Sequence, residues 1–351
     1  MPALLYRRGL ALLLAVILLS ACRPAPTPYA QTELTGRTMG TTYSVKLVNA
    51  PADLDRTALQ RDIQTLLADI NRQMSTYDPE SELSRFNRQS ATDWFPVSPA
   101  VIRVVEEAKH ASRLSDGTFD ITVGPLVDLW GFGPGETGNA VPDDRRIEQV
   151  RSLVGHEKLQ IRNDPPALRK TVSGLRVDLS AIAKGYAVDE ISRLLSRRGL
   201  DRHLVEIGGE LRAKGHNADA RPWRIGVERP GPGFNIVHAA IHLDNRGLAT
   251  SGDYRNFFER DGRRYSHTID PAGGRPVTHT LASVTVVAES CMRADALATA
   301  LLAAGPKRGY RLAEREGVAA LFIERTDQGF TDRATVSMRA LMTDTAADGK
   351  P

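Results

Sequence analysis

Val177-Asp178-Leu179-Ser180-Ala181-Ile182-Ala183-Lys184-Gly185 reads as a short apolar strand that runs directly into a helix. The spacing of apolar residues predicts that helix over 180–198, with Gly199 stopping it. What lies downstream decides the fold class. Short β runs centre on Val205, Ile225, Ile241, Tyr265 and Val286. Helix returns only over 295–304 and 307–316, before a late strand over 319–323. Upstream, polar and apolar residues alternate over 34–48, with Tyr43, Val45 and Leu47 on one face, which predicts a strand there, and Leu54, Leu59, Ile63, Leu66, Leu67 and Ile70 recur at helical spacing. Residues 75–89 read as a polar loop. Ser98 and Pro99 suit an N-cap and first turn, and Asp116-Gly117 closes that helix. A shorter helix covers 144–154 up to Gly155, with short strands near Leu159 and Val177. Helices and β runs are segregated in places instead of alternating strictly, which predicts an α+β fold with mainly antiparallel sheets and packed helices.

The N-terminal segment carries a different signal. Arg7 and Arg8 precede an apolar run over 10–19 that is too short to span a bilayer, and Leu19-Ser20-Ala21-Cys22 follows. Small residues before a cysteine match the bacterial lipobox, so residues 1–21 read as a lipoprotein signal peptide and Cys22 as the lipidated residue. Residues 22–33, rich in proline at their start, then form an extended tether. A folded domain is expected over 34–335 and a disordered tail over 336–351. Lipidation of Cys22 leaves Cys291 as the other cysteine, so no intrachain disulfide is expected and stability must come from a packed core. Loss of Arg7 and Arg8 lowers the formal charge from +4 to +2. That near-neutral balance, without a basic block, argues against nucleic acid as a partner.

Dinucleotide, P-loop and zinc-protease signatures are missing from the sequence. His238 and His242 lie in a β-like run ending at Asp244-Asn245 and read as surface strand histidines. Three segments carry chemistry. In the first, Gly36-Arg37-Thr38-Met39-Gly40-Thr41-Thr42-Tyr43, glycines permit close backbone approach to a ligand and Met39 could pack on a flat ring. A bulge at a strand start explains the same residues. In the second, Asp178 stands where a helix N-terminus favours phosphate, and Lys184 adds a point charge. Asp178 could equally cap the helix, as could Ser180. In the third, Asp295 and Thr299 are four apart on a helix, so carboxylate and hydroxyl share one face and offer hard oxygens suited to Mg²⁺. The turn around Thr118, Phe119 and Asp120, the Gly208-Gly209-Glu210 segment and His267, a candidate proton acceptor, fill the gaps.

Taken in order, these segments resemble the ApbE family. The matching motifs are T-M-G-T-x-Y (38–43), M-S-T-Y-D-P-x-S-E-L-S-R-F-N (74–87), D-G-x-F-D-x-T-V-G-P-L (116–126), D-L-S-A-I-A-K-G (178–185), G-G-E (208–210), A-T-S-G-D-Y (249–254), H-T-I-D-P (267–271) and A-D-A-L-A-T-A (294–300). The resemblance implies a T-fold-like flavin transferase domain that moves FMN from FAD to a Ser or Thr hydroxyl of other proteins, releasing AMP. It implies FAD contacts from Met39, Tyr77, Thr118, Phe119, Asp120, Asp178, Lys184 and Ile269. Gly208 and Gly209 join them on the reading that glycine lets backbone approach a ligand. Mg²⁺ would be held by Asp295, Thr299 and the carbonyl of Ala181, with His267 as base and Asp253 near the transfer site. Acceptors would carry a D-x-x-S/T-G-A-T-like motif, as in redox-pump subunits and flavin-carrying exported proteins. The enzyme would sit lipid-anchored on the periplasmic face of the inner membrane, the outer membrane being the alternative. Two other functions share these motifs: a Mg²⁺-dependent FAD pyrophosphatase, and a non-catalytic FAD-binding lipoprotein.

Overall fold

The computed structural model describes residues 28–134, 140–231, 236–253 and 256–343. The signal peptide, Cys22, residues 23–27 of the tether, Tyr254 of the A-T-S-G-D-Y segment and the end of the tail lie outside the described residues.

The chain opens with hairpin β1 (Gln31–Thr38) and β2 (Thr41–Val48), followed by helices α1 (Arg56–Met74) and α2 (Glu82–Arg88). Strand β3 (Phe95–Pro96), α3 (Pro99–Leu114), α4 (Gly124–Leu129) and α5 (Asp144–Arg151) come next. Strands β4 (Leu159–Asn163) and β5 (Pro166–Lys170) lead to α6 (Ala183–Arg197). Then come β6 (His203–Ile207), β7 (Glu210–Lys214), β8 (Trp223–Glu228), β9 (Val237–Leu243) and β10 (Gly247–Gly252). After β11 (Phe257–Arg260), β12 (Arg263–Ser266), β13 (Ile269–Asp270), β14 (Arg275–Pro276) and β15 (Leu281–Ala288) comes α7 (Cys291–Arg315). The chain closes with β16 (Ala319–Thr326), β17 (Gly329–Ala334), α8 (Val336–Arg339) and β18 (Met342–Thr343).

One eight-stranded sheet, ordered β1-β2-β6-β7-β10-β15-β16-β17, organises the molecule, and its pairings are all antiparallel. Because side chains alternate across a strand, each face of this sheet has its own core. On one face Tyr43, Val45 and Val205 pack under α1, α3 and α6, while Val284, Val286 and Phe322 pack under α7. On the other face Leu248, Val287 and Leu321 pack against Trp223, Ile225 and Ile241 of the small sheet β18-β9-β8. Strand β15 is buried along most of its length because both faces are covered. A satellite cluster of Trp130, Phe132, Phe258 and Tyr265 stacks beside α4 and α5. This is the expected α+β class with antiparallel sheets.

Local expectations shift in several places. The single strand expected over 34–48 is the hairpin β1–β2, turning at Met39-Gly40, and β1 begins at Gln31, inside the expected tether. The loop predicted over 75–89 contains α2, capped by Ser81, which accepts the Ser84 N–H at 2.9 Å. No strand forms at Val177. The Asn87 side chain takes the Val177 N–H at 2.7 Å and donates to its carbonyl at 2.8 Å, replacing a strand partner. The predicted helix starts three residues late, at Ala183. Asp178 accepts the Ser180 N–H at 2.8 Å, and the Leu179 carbonyl accepts from both Ile182 and Ala183. These tight turns precede the helix, so neither Asp178 nor Ser180 caps it. Finally, residues just beyond 335 are built into the domain: Met338 is fully buried and β18 pairs with β9.

The interruption predicted between 304 and 307 is present inside α7, where Gly305 takes φ 77° ahead of Pro306. Among the described residues no helix is long and apolar enough to cross a membrane.

Candidate active site

A cleft of about 790 Å³ opens where the helical layer, the β6–β7 turn and the β13 region meet. Its electrostatic centre is built by two helices. Gly185, in the first turn of α6, packs so closely on α7 that an added Cβ would lie 2.5 Å from the Cys291 carbonyl oxygen. The closeness lets the helices cap one another. Asp295 Oδ2 accepts the Gly185 N–H at 3.0 Å, and the Asp189 carboxylate accepts the N–H groups of Cys291 and Met292, each at 3.0 Å. Lys184 beside Gly185 and Thr299 one turn beyond Asp295 therefore face the same cleft.

The two carboxylates there are buried, and Lys184 is partly buried. Lys184 Nζ lies 2.8 Å from Glu210 Oε1. Burial alone would lower the lysine, but the Asp295 and Glu210 carboxylates outweigh it and hold Lys184 above its ordinary range, fully charged. Burial raises both Asp295 and Glu210, opposed by Lys184. Thr299 Oγ1 lies 2.9 Å from Ser251 Oγ, and Ala181 lines the cleft from the turn ahead of α6. Asp295, Thr299 and Ala181 line one cleft, and a carboxylate, a hydroxyl and a backbone carbonyl are hard-oxygen donors of the kind that suits Mg²⁺. Among the described residues no group of three His, Cys, Asp or Glu side chains collects. A cation here would therefore complete its shell with water or ligand oxygens.

Gly208 and Gly209 form the two-residue turn between β6 and β7, with φ of 61° and 104°. Those angles explain the glycines as a hairpin requirement, and both residues also line the cleft. Thr118, Phe119, Asp120, Asp178, Ile269 and Tyr77 line it too, Tyr77 being 70% exposed at the mouth. Three of these are engaged within the fold, Asp178 by the Ser180 N–H described above. Thr118 Oγ1 donates to the Ala300 carbonyl at 3.1 Å. Asp120 accepts from Thr122 N and Oγ1 at 2.8 and 2.7 Å and from His156 N at 2.7 Å, stapling its loop.

His267 lies on the cleft wall, edge-on to Phe132 at 6.4 Å between ring centroids. Its Nδ1 is 3.0 Å from the Asn256 carbonyl. A carbonyl can only accept, so Nδ1 carries the proton and Nε2 keeps a free lone pair. Burial lowers its pKa, against the pull of that hydrogen bond, so the ring is neutral at pH 7.

Two expected residues do not line the cleft. Met39 sits with Gly40 in the turn between β1 and β2, at φ 48°, and packs partly buried against the main core. The glycine-framed segment is thus a hairpin turn, and its neighbours Thr41 and Thr42 reach the cleft instead. Asp253 is 7% exposed and forms a two-pronged ion pair with Arg325, with Nη1 to Oδ2 at 3.0 Å. It ties the end of β10 to β16 beside the cleft. His238 and His242 are strand residues as expected, His238 pairing with Asp332 at 3.0 Å. Sequence reasoning passed over Glu210 as the Lys184 partner and Asn87 as the clasp ahead of Asp178.

The ApbE family profile matches residues 39–322. The FAD:protein FMN transferase of Vibrio cholerae is 44% identical over 336 residues, 96% of this chain and 99% of that protein. The Escherichia coli protein of the same name is 38% identical over 328 residues, covering 91% and 93%. Among solved structures, the flavin transferase ApbE from Vibrio cholerae superposes with a TM-score of 0.82 at 44% identity, covering 90% of this chain and all of that one. The apo form of the Pseudomonas stutzeri flavinyl transferase ApbE gives 0.83 at 43% identity, covering 90% and 97%. The chain belongs to the ApbE family.

Proposed function

We propose that the protein transfers the FMN half of FAD to a Ser or Thr hydroxyl of acceptor proteins and releases AMP. One observation carries this reading: Lys184, Asp295, Thr299 and Ala181 converge with Tyr77, Phe119, Asp178, Ile269 and His267 on a single cleft. The names of its relatives support the same reaction.

Asp295, Thr299 and the Ala181 carbonyl would hold Mg²⁺, which when bound neutralises charge on the diphosphate. Lys184, kept charged by two carboxylates, supplies a fixed ammonium to the same phosphates. Tyr77 offers an exposed ring face at the mouth for stacking. Neutral His267 takes the proton from the acceptor hydroxyl through Nε2 as the new oxygen–phosphorus bond forms. The bond from that phosphorus to the bridging oxygen breaks, and the oxygen leaves with AMP. Met39, Thr118, Asp120 and Asp253 then act as supports of the site, the last through Arg325.

Export and lipidation at Cys22 belong to the same proposal, on the strength of Arg7, Arg8, the apolar run and Leu19-Ser20-Ala21-Cys22. The anchor would face acceptors with a D-x-x-S/T-G-A-T-like motif, such as redox-pump subunits, at the periplasmic side of the inner membrane. Incubation with FAD, Mg²⁺ and such a subunit tests the reaction. Covalent, fluorescent flavin on the acceptor is expected. Free FMN with an unlabelled acceptor would mean pyrophosphatase activity, and intact bound FAD a carrier.

A further inference from the structure

Glu210 is a cleft residue that the proposed chemistry leaves without a substrate contact. The Gly208-Gly209 turn folds β7 back on β6 and carries Glu210 to the first turn of α6. Its side chain is 5% exposed, and Oε1 is occupied by Lys184 at 2.8 Å. The other oxygen, Oε2, is buried and has no hydrogen-bond partner among the described residues. A buried carboxylate oxygen without a donor is costly, and folded proteins rarely leave one so. One that lines a substrate cleft calls for a donor carried by the ligand.

We propose that Glu210 Oε2 receives a hydroxyl group of the bound dinucleotide, which makes Glu210 a substrate-binding residue that selects for that hydroxyl. The assignment rests on the FAD reading of the cleft. A divalent cation is the poorer occupant, because Glu210 is already neutralised by a direct ion pair with Lys184 at 2.8 Å, which Asp295 lacks among the described residues. An O–H group adds no charge. Lys184, Asp295 and Thr299 mark the phosphate end of the cleft, and the hydroxyls of FAD nearest its phosphates are those of the ribityl chain and the adenosine ribose. The ring N–H of the isoalloxazine lies far from both phosphates.

Binding of FAD analogues that each lack one ribityl or ribose hydroxyl, followed by flavin fluorescence, tests this. The unmodified protein should bind one analogue about tenfold more weakly than FAD, as for loss of a hydrogen bond to a charged group. Whether a ribityl or a ribose analogue is penalised identifies the source. In Glu210→Gln the carbonyl end must turn to Lys184, and the penalty for that analogue should shrink to about threefold or less. Equal binding of FAD and every analogue by the unmodified protein would overturn the assignment even if the variant fails to fold. An undiminished penalty in a folded Glu210→Gln, or a selective loss of Mg²⁺ affinity, would overturn it too. Failure of the unmodified protein to bind FAD at all would remove the flavin reading itself, and this assignment with it.

Discussion

The Asp295 carboxylate accepts the backbone N–H of Gly185 at 3.0 Å, across the contact between two helices that are far apart in sequence. That bond fixes one oxygen of Asp295 and turns the residue's remaining valence toward the cleft. It also sets Lys184 beside the same carboxylate. The proposed metal ligand and the lysine proposed to bind phosphate are thus positioned by one interaction.

Asp295→Asn separates these roles. The amide oxygen can still accept the Gly185 N–H, so the helices should stay docked. Removing a buried charge should leave stability within about 1 kcal/mol of the unmodified protein. Transfer activity should fall at least a hundredfold, and added Mg²⁺ should not restore it. Thermal melting and rate measurements over a Mg²⁺ titration check both halves. Retained activity would count against the metal assignment.

Gly185→Ala tests the closeness of the helices. The new methyl group would meet the Cys291 carbonyl oxygen at 2.5 Å and Met292 Cα at 2.8 Å, both backbone atoms that cannot swing aside. Overpacking of this kind costs about 1–3 kcal/mol. The melting temperature should drop by several degrees, and FAD affinity should fall because Lys184 and Asp295 move apart.

Asn87→Ala removes the clasp on Val177. Two backbone groups lose partners at 2.7 and 2.8 Å, and a loss of about 1–3 kcal/mol is expected. Asp178 is the next residue, so weaker FAD binding should accompany the lower melting point. An unchanged FAD dissociation constant in the folded variant would show that the clasp does not position the cleft.

Much of this arrangement was legible in the sequence. The i, i+4 spacing of Asp295 and Thr299, the Ser98-Pro99 helix start and the alternation of Tyr43, Val45 and Leu47 are local signals, and all three hold. What escaped depends on distant partners. Nothing near Asn87 announces Val177, 90 residues away, and without that clasp Val177 looks like a strand residue. Glu210 meets Lys184 only because the β6–β7 hairpin folds back on α6. The ion pair that engages Asp253 depends on Arg325, 72 residues away on β16. Gly185 looks like a mediocre helix residue, and its purpose emerges only when α7 lies against it.

A pH effect on stability follows from His203. It is fully buried between Ser192 and the Leu200 carbonyl, and burial pushes its pKa down to about 4. The unfolded chain therefore binds more protons between about pH 6.5 and 4, and the native state loses stability as pH falls through that window. A drop of about 3 kcal/mol from this residue is expected between pH 7 and 4. Unfolding free energies of the unmodified protein and His203→Gln, measured at both pH values, should differ in slope by about that amount. Parallel pH dependences would contradict it.

On the proposed mechanism FMN is joined covalently to another protein by means of Asp295 and its neighbours. Intact-mass measurement of an acceptor subunit after incubation with FAD, Mg²⁺ and the enzyme tests it most directly. The expected result is an acceptor heavier by one FMN phosphoester with the unmodified enzyme and unchanged with Asp295→Asn. An acceptor that keeps its mass while FAD is consumed, or that gains flavin equally with the variant, would contradict the account.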